Sequence, residues 1–261
     1  MKREESRQSP SLVFEGMTSV RAVIKGAEAG VNDRKIEKIF IDREKVSSKK
    51  KELSYLKAVS SQKGFTIEYT DSESLQQITT GSSHGGIVAV CSDRTIKPLS
   101  KDVISENGFW VMIEGIEDPY NFGYALRTLY AAGADGVVLS PRNWMSAAGV
   151  VCRSSAGASE MLPCYVSEAD EAVSLFKKAG YKTAAAGIRD SVSSFDADLR
   201  LPVFLVVGGE KRGISRSVLD KCDITVRLDY GRSFPGSLSA ASAASVLAYE
   251  VLRQNRDIKH N

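Results

Sequence analysis

Hydrophobic and polar residues alternate along the first third of the chain with the spacings of short helices and strands. Helical periodicity, with glycines closing the first two stretches, predicts helices at residues 17–30, 48–64 and 72–80. Alternating or β-branched runs predict strands at residues 35–42, 65–70 and 85–92. The pattern therefore indicates a compact α/β unit of about 75 residues.

In the remainder of the chain, predicted strands and helices also alternate. Apolar runs predict strands at residues 109–115, 136–140, 162–166, 181–187, 202–210 and 224–229. Helices are predicted from Asn121 to Gly133 and at residues 168–180, 215–222 and 236–254, while residues 146–157 are helical or irregular. Such alternation indicates a parallel sheet covered on both faces. Ligands of these sheets bind beyond the carboxyl ends of the strands.

Two stretches without this periodicity set the domain boundaries. Residues 93–107 carry Pro98 and mixed charge and are predicted to be a linker. Residues 1–12 are polar, lack the apolar segment of a signal peptide and are predicted to be a disordered tail. The sequence therefore predicts a first domain at residues 13–92 and a second at residues 108–261.

Cysteine usage and hydropathy exclude several classes of protein. The chain has four cysteines in no CxxC pair and only two histidines, both distant from any cysteine in sequence, so no metal site is predicted. Scattered cysteines are typical of a reducing compartment, which favours a cytoplasmic protein. No apolar run reaches the roughly 18 residues of a membrane helix, so no membrane partner is expected.

Positive charge is concentrated in the first part of the chain. The net charge is only +3, but residues 1–100 carry 17 Lys and Arg against 13 Asp and Glu, a balance of +4. Lys49, Lys50 and Lys51 form a local basic run. Two interpretations are open: the run is a solvated helix start, or it contacts the phosphates of a nucleic acid.

The predicted helix after Asn121 carries residues that a core does not need. Asn121 is predicted to be the N-cap, and the apolar face is predicted to comprise Phe122, Ala125, Leu126, Leu129 and Tyr130. Gly123 is a poor helix former, and Arg127 lies one turn later, off the apolar face. Arg127 is either a surface residue paired with a carboxylate or a functional group.

Two further segments could bind a ligand. In residues 206–215, "VVGGEKRGIS", a buried strand runs into paired glycines, which let a ligand reach backbone groups; a plain strand-to-helix turn is the alternative. The loop at residues 230–236 contains Gly, Pro and Ser, which are typical of a turn with a defined conformation. It precedes a helix whose small residues Ala240, Ala244 and Ala248 allow close packing of another element.

The order and spacing of these segments carry a family resemblance. An N-x-G-x-x-x-R-T turn at residues 121–128, a G-x-E-x-x-G strand end at 208–213 and a G-S-L-x helix start at 236–239 follow one another. Over residues 109–254 the chain resembles the SPOUT methyltransferases, in particular the TrmH/SpoU branch of RNA ribose 2′-O-methyltransferases. Residues 13–92 resemble the L30e-like RNA-binding domain that is often fused in front of them.

The resemblance implies more about fold, cofactor and partners than the residue pattern does. It implies an α/β fold with a C-terminal parallel-sheet SPOUT domain, a deep trefoil knot and a small L30e-like α/β domain in front. It implies S-adenosylmethionine as cofactor, a homodimer with the site at its interface, and RNA as substrate, ribosomal RNA rather than transfer RNA.

The motif positions then identify site residues. The cofactor is expected at Gly208, Gly209, Glu210, Gly213, Leu228 and Leu238. Residues expected to act on the ribose and in catalysis are Asn121, Arg127, Ser237 and Glu210. RNA contacts are expected at Arg153, which lies in the family-like stretch "RSSAGA", and at Arg21, Lys49, Lys50 and Lys51.

Our hypothesis for the chemistry gives Arg127 the central role. Methyl transfer from a sulfonium needs no metal, only a ribose oxygen held in line at roughly 3–3.5 Å. Because a free arginine stays protonated far above neutral pH, its guanidinium is expected to bind a phosphate and stabilise the developing alkoxide rather than act as a base.

One motif position departs from the family. Ser239 stands where the third motif usually has Asn, which leaves a non-catalytic RNA-binding protein of the same fold as the alternative function. A Rossmann-type dehydrogenase is a third interpretation, but the sequence has no G-x-G-x-x-G turn to support it.

Overall fold

The chain folds into two units, and each unit contains one β-sheet. The computed structural model describes residues 12–81, 83–144, 146–209 and 213–257. Unit 1 combines the chain up to Thr95 with Asn143–Met161, and unit 2 contains Ile96–Arg142 and the chain from Leu162 onward. Residues 1–11 of the predicted tail, and Glu210, lie outside the described residues.

Unit 1 is a four-stranded mixed sheet covered by helices. Its strands are β1 (Val13–Glu15), β2 (Ile36–Asp42), β3 (Thr66–Thr70) and β4 (Ile87–Cys91), in the order β1-β4-β2-β3. Its helices are α1 (Gly16–Glu28), α2 (Lys50–Lys63), α3 (Ser72–Ile78), α5 (Ala148–Ser154) and α6 (Ala158–Met161). Strands β2 and β3 are parallel, whereas β4 runs antiparallel to β1 and β2. One apolar core joins α1, α2 and the sheet to Ala148 and Cys152 of α5.

Unit 2 is an eight-stranded sheet within the described residues, and all its neighbouring strands are parallel. The strands are β5 (Lys97–Pro98), β6 (Phe109–Ile113), β7 (Gly136–Leu139), β8 (Cys164–Val166), β9 (Lys182–Ala186), β10 (Val192–Ser193), β11 (Val203–Val207) and β12 (Ile224–Arg227). The helices are α4 (Pro119–Ala131), α7 (Ala169–Lys178), α8 (Arg216–Lys221) and α9 (Ala240–Asn255). The strand order is β10-β12-β9-β11-β6-β7-β8-β5, so the order reverses between β6 and β11.

The buried strands explain why this sheet forms. All five residues of β6 and all five of β11 are buried, as expected for central strands covered on both faces. On one face, Phe176 of α7 stacks on Phe204 of β11 with ring centroids 3.9 Å apart. At the other side of the core, the small buried residues Ala244 and Ala248 belong to α9, which packs against α4. The alanine-rich face of α9 is therefore buried, as expected for small residues at this spacing.

The predicted fold class is confirmed: an α/β chain with a parallel sheet in its second part and a small α/β unit in front. The trefoil knot stays a prediction. Three strands of two or three residues, β1, β5 and β10, were not predicted, because so short a run shows no periodicity. Strand β5 and a 3₁₀ turn at Lys101–Val103 lie within the stretch predicted to be a linker.

The helix prediction for α4 was wrong in two details. The N-cap is Asp118, whose Oδ1 accepts a hydrogen bond from the backbone N–H of Asn121 at 2.8 Å, so Asn121 lies in the first turn. Pro119 at the first helical position fixes this start, because proline is pre-organised there and needs no N–H partner. Tyr130 is 40% exposed and lies at the edge of the apolar face rather than in it.

Residues 143–161 pack with the N-terminal unit although the sequence-based boundary placed them in the second domain. The guanidinium Nε of Arg34 lies 3.1 Å from a carboxylate oxygen of Glu160, and both side chains are fully buried. Asn32 Nδ2 donates to the Glu160 carbonyl at 2.8 Å. Gly26 permits this approach, because a Cβ there would lie 2.0 Å from the same carbonyl oxygen. Pairs separated by more than 120 residues leave no trace in local sequence patterns.

Candidate active site

A cavity of about 700 Å³ lies in unit 2 beyond the carboxyl ends of β9 and β11. Its volume falls in the range of small-molecule sites, and its position matches the rule for open parallel sheets. The lining includes the sequence-predicted residues Gly208, Gly209, Gly213, Ser237 and Leu238. Other lining residues include Ala186–Asp190, Ile214, Ala240 and Ala243. Segments at the end of β9, after β11 and before α9 therefore meet at one site.

Paired glycines after β11 bring three backbones into close contact. A Cβ on Gly209 would lie 2.8 Å from the carbonyl oxygen of Gly115, which follows β6. A Cβ on Gly208 would lie 2.6 Å from the carbonyl carbon of Gly213 and from the nitrogen of Ile214. Gly213 donates its N–H to the Gly209 carbonyl at 3.0 Å and has a φ of +63°. The turn thus requires glycine at Gly208 and Gly209, because a side chain at either position would collide with neighbouring backbone.

The loop at residues 228–239, between β12 and α9, forms another wall. Ser237 and Leu238 line the cavity, and Ser239 is the N-cap of α9, with its hydroxyl accepting from the N–H of Ser242 at 3.2 Å. Asn and Ser are both good N-caps, so Ser239 can fill this structural position. Leu228 is not among the described residues that line the cavity.

Asn121 and Arg127 are also not among the described residues that line the cavity. Both belong to α4, whose buried face includes Gly123. Arg127 lies on the exposed face with Tyr120 and Tyr124, which are 49% and 51% exposed. Within the described part of the chain, its guanidinium makes no hydrogen bond or ion pair. The alternative of an arginine paired with a carboxylate is therefore not what the described residues show.

Polar groups around the strand ends hold the neighbouring loops. The Ser140 hydroxyl donates to the Glu114 carbonyl at 2.7 Å, and the Arg142 guanidinium donates to the Ile116 carbonyl. Burial, together with the negative charge of Asp170, raises the pKa of Glu114. At the cavity itself, Arg216 pairs with Asp220 at 2.9 Å. The described residues contain no group of three or more His, Cys, Asp or Glu side chains that could hold a metal ion.

Sequence reasoning missed the segment Ala186–Asp190, which lines the cavity at the carboxyl end of β9. The carboxyl end of a predicted parallel strand was the available signal, because ligands bind there. Arg189 in this segment is exposed, and Asp190 has a φ of +49°, a conformation that non-glycine residues seldom adopt.

In unit 1 the predicted RNA-binding residue Arg21 lies on α1, and the predicted RNA-binding lysines lie at the start of α2, where Lys49 is the N-cap and Lys50 and Lys51 follow. The Arg21 guanidinium lies over the Tyr55 ring, with Cζ 5.3 Å from the ring centroid. The pKa of Glu52 is lowered by its own backbone amide and, to a smaller extent, by Lys49 and Arg21. Lys50 and Lys51 are exposed at the start of α2. We call Arg21, Lys49, Lys50 and Lys51 the basic surface.

Arg153 lies on α5 and has partners of its own within unit 1. Its guanidinium pairs with Glu15 at 2.7 Å and also donates to the Ser83 hydroxyl. The Glu15 carboxylate also accepts the backbone N–H groups of Thr80 and Gly81, at 2.7 and 3.1 Å. Arg153 thus has a structural role in unit 1, whatever further contact it makes.

Comparison with known proteins identifies the family. The profile described as the SpoU rRNA Methylase family matches residues 108–249, more than half of the chain. The chain belongs to this family. A second profile, for RNA 2′-O ribose methyltransferase substrate binding, matches residues 15–96. The predicted TrmH/SpoU relationship is thus confirmed, and the protein is a TrmH/SpoU-family RNA methyltransferase.

Individual relatives agree with the family assignment. The TrmH family protein YacO of Bacillus subtilis is 29% identical over 235 residues, which cover 87% of this chain and 92% of YacO. An AdoMet-bound rRNA methyltransferase from Sinorhizobium meliloti is 20% identical with a TM-score of 0.77, covering 95% of this chain and 87% of that one. The methyltransferase AviRb from Streptomyces viridochromogenes, in complex with AdoMet, is 21% identical with a TM-score of 0.75, covering 97% and 99%. These two structures share the fold of this SpoU-family chain.

Among the described residues, the SpoU-family chain has no helix long and apolar enough to cross a membrane.

Proposed function

We propose that this protein transfers a methyl group from S-adenosylmethionine to a ribose 2′-hydroxyl of ribosomal RNA, and that it does so in the cytoplasm. The observation that carries the proposal is the cavity in which the Gly208–Gly209 turn meets Ser237 and Leu238. The substrate-binding profile over residues 15–96 supports ribose as the methylated group. The AdoMet complexes of two proteins with this fold support the cofactor.

The cavity fits such a cofactor in volume and in chemistry. Its wall includes apolar side chains at Ile214, Leu238 and Ala240, and its glycine turn brings backbone rather than side chains to the cavity. Backbone groups beside apolar side chains suit a ligand with an aromatic base and hydrogen-bonding edges. We therefore assign the glycine turn and Leu238 to cofactor binding. When bound, S-adenosylmethionine supplies an electrophilic methyl carbon.

The chain's own residues then have to hold the ribose. Arg127 is exposed and has no partner among the described residues, so its guanidinium is available to bind a phosphate and to stabilise negative charge on the attacking oxygen. Ser237 lines the cavity and can donate or accept a hydrogen bond at the sugar. Asn121, in the first turn of α4, is assigned to orienting the same ribose.

A homodimer would complete the site, because Arg127 does not line the cavity of its own chain. Arg127 shares the exposed face of α4 with Tyr120 and Tyr124. The adjoining helix α9 exposes Val246 by 48% and Tyr249 by 52%. Large exposed apolar groups on two packed helices favour a protein partner. We propose that a second copy of this chain covers this α4–α9 face and receives Arg127.

The basic surface of unit 1 is the proposed RNA contact. Arg21, Lys49, Lys50 and Lys51 lie on neighbouring helices and can bind successive phosphates. The substrate-binding profile covers all four residues. Shape and unpaired bases, rather than duplex sequence, are what RNA-binding modules of this size usually recognise.

The test combines cellular mapping with purified protein. We expect 2′-O-methylation at one or a few ribosomal RNA positions to be lost in cells that lack the gene, and to return with the wild-type gene. In vitro, Gly208→Ala should weaken S-adenosylmethionine binding about tenfold or more, because its Cβ would collide with backbone atoms. Gly231→Ala in the 228–239 loop is the control, because its Cβ meets nothing within 4 Å.

Methylation confined to transfer RNA would contradict the ribosomal assignment but leave the reaction intact. RNA binding without any methyl transfer would favour the non-catalytic alternative that Ser239 raises.

A further inference from the structure

Tyr230 forms a contact across the loop that borders the cavity. Its hydroxyl accepts the backbone N–H of Leu238 at 3.1 Å, so the side chain closes the loop over residues 231–237. Its ring packs edge-on against Phe234, with centroids 5.9 Å apart and an interplanar angle of 65°. Gly236 makes room for Phe234, because a Cβ at Gly236 would lie 2.7 Å from that ring.

The preceding residue, Asp229, secures the same loop on its other side. Its carboxylate accepts from the Ser193 hydroxyl and from Arg227 Nε, the latter at 2.8 Å. Ser193 lies on β10, a few residues after the cavity-lining segment Ala186–Asp190. Arg227 also donates to the carbonyl of Ser191 at 2.6 Å. The start of the loop is thus tied to the residues that follow Asp190, and Tyr230 extends from that fixed point to the backbone of Leu238.

These contacts stabilise the loop rather than the core of unit 2. Tyr230 is 42% exposed and Phe234 is 55% exposed, so neither buries enough apolar surface to contribute strongly to global stability. The amide that Tyr230 holds belongs to Leu238, which lines the cavity beside Ser237. Ligand sites of this kind depend on a few polar and apolar groups held in fixed positions.

We infer that Tyr230 is a positioning residue, whose hydroxyl fixes Ser237 and Leu238 as a wall of the cofactor cavity. Without the hydroxyl, the Leu238 amide would bond to water, and this end of the loop would lose its hydrogen bond to Tyr230. The inference rests on the proposed function in one respect: the cavity is taken to bind S-adenosylmethionine.

The decisive variant is Tyr230→Phe, which removes one oxygen and keeps the ring against Phe234. We expect KM for S-adenosylmethionine to rise roughly 3- to 10-fold, the effect of one net hydrogen bond, while kcat changes less than about twofold. The midpoint of thermal unfolding should stay at the wild-type value. Tyr69→Phe is the matched control, because Tyr69 is 37% exposed on β3 of unit 1, outside the cavity lining, the α4–α9 face and the basic surface, and it should leave all three quantities unchanged.

A second measurement separates this inference from the proposed function. Hydrogen exchange of the ligand-free protein should show the Leu238 amide exchanging several-fold faster in Tyr230→Phe than in wild type, whether or not the protein transfers methyl groups. Equal exchange rates would overturn the inference. An unchanged KM would overturn it as well. A lower KM would also overturn it, because Tyr230 would then compete with the cofactor for the Leu238 amide.

Discussion

At the residue scale, the buried Arg34–Glu160 pair gives the sharpest stability prediction. Both side chains are excluded from solvent, so removing one charge leaves the other buried without its partner. Arg34→Met should therefore lower the free energy of unfolding by about 3–5 kcal/mol. Chemical denaturation followed by circular dichroism measures this loss, and the double variant Arg34→Met/Glu160→Leu should recover most of it.

Lys38→Met is the matched control for that experiment, since it breaks a pair in the same unit at comparable distance. Lys38 Nζ lies 2.7 Å from Glu68, but the two side chains are 35% and 50% exposed. Such a pair contributes at most about 1 kcal/mol. If Arg34→Met cost no more than Lys38→Met, segment 143–161 would not be held to unit 1 as the structure shows.

The residues that could be identified from sequence are those whose chemistry is local. Gly208, Ser237 and Leu238 lie at the ends of predicted strands or helices, within the sequence motifs, and all three line the cavity. Arg153 was expected to contact RNA, but its structural partner Glu15 is 138 residues away. The Tyr230–Leu238 contact needs a folded loop to exist. Long-range pairing therefore limits what local pattern can show.

At the element scale, the start of α4 separates a structural residue from a proposed catalytic one. Asp118 caps the helix, so Asp118→Ala should cost about 1 kcal/mol of stability. Asn121 contributes only its backbone to that bond, so Asn121→Ala should leave stability within about 0.5 kcal/mol of wild type and lower methyl transfer instead. Thermal unfolding and a radiolabelled methyl-transfer assay on the two variants check both halves. If Asn121→Ala lost stability and Asp118→Ala did not, Asn121 rather than Asp118 would be the N-cap.

Elements with a strong hydrophobic pattern were predictable, and short ones were not. Strands β6 and β11 are continuous apolar runs, and each was predicted within two or three residues of its observed bounds. Strands β5 and β10 have two residues each, and only their neighbours in the sheet define them. Helix α4 was predicted from its apolar spacing. Its start was placed too late, because Asn121 is also a good N-cap residue and was chosen instead of Asp118, which precedes Pro119.

At the scale of the whole molecule, RNA binding is better tested by charge than by truncation. Removing the chain up to Thr95 would uncover α5 and α6 and leave Glu160 without Arg34, so lost activity would not report RNA contact alone. Lys50→Glu/Lys51→Glu should weaken binding of ribosomal RNA fragments roughly tenfold or more at low salt and reduce the salt dependence. Cofactor affinity, measured by calorimetry, should not change.

The control is the double variant Lys101→Glu/Lys178→Glu. It changes the net charge by the same amount as Lys50→Glu/Lys51→Glu, but on exposed residues of unit 2. Equal losses of RNA affinity in the two double variants would show that total charge, and not the basic surface, governs binding.

The proposed homodimer makes a prediction about which chain supplies Arg127. Two inactive chains, Arg127→Ala and Gly208→Val, can be co-expressed with different tags and purified as a mixed dimer. If Arg127 acts on the neighbouring chain, the intact cavity of the first chain receives the intact arginine of the second, and up to half of the wild-type methyl transfer returns. If Arg127 acts on its own cavity, both sites in this dimer are defective and no activity returns.

The control pairs wild type with the double variant Arg127→Ala/Gly208→Val and should give the opposite pattern: no activity when Arg127 acts across the dimer, and half activity when it does not. Light scattering that finds only monomers would reject the dimer itself. Across-dimer action is the outcome we expect, because Arg127 lies on the exposed α4–α9 face and the cavity lining of its own chain does not include it.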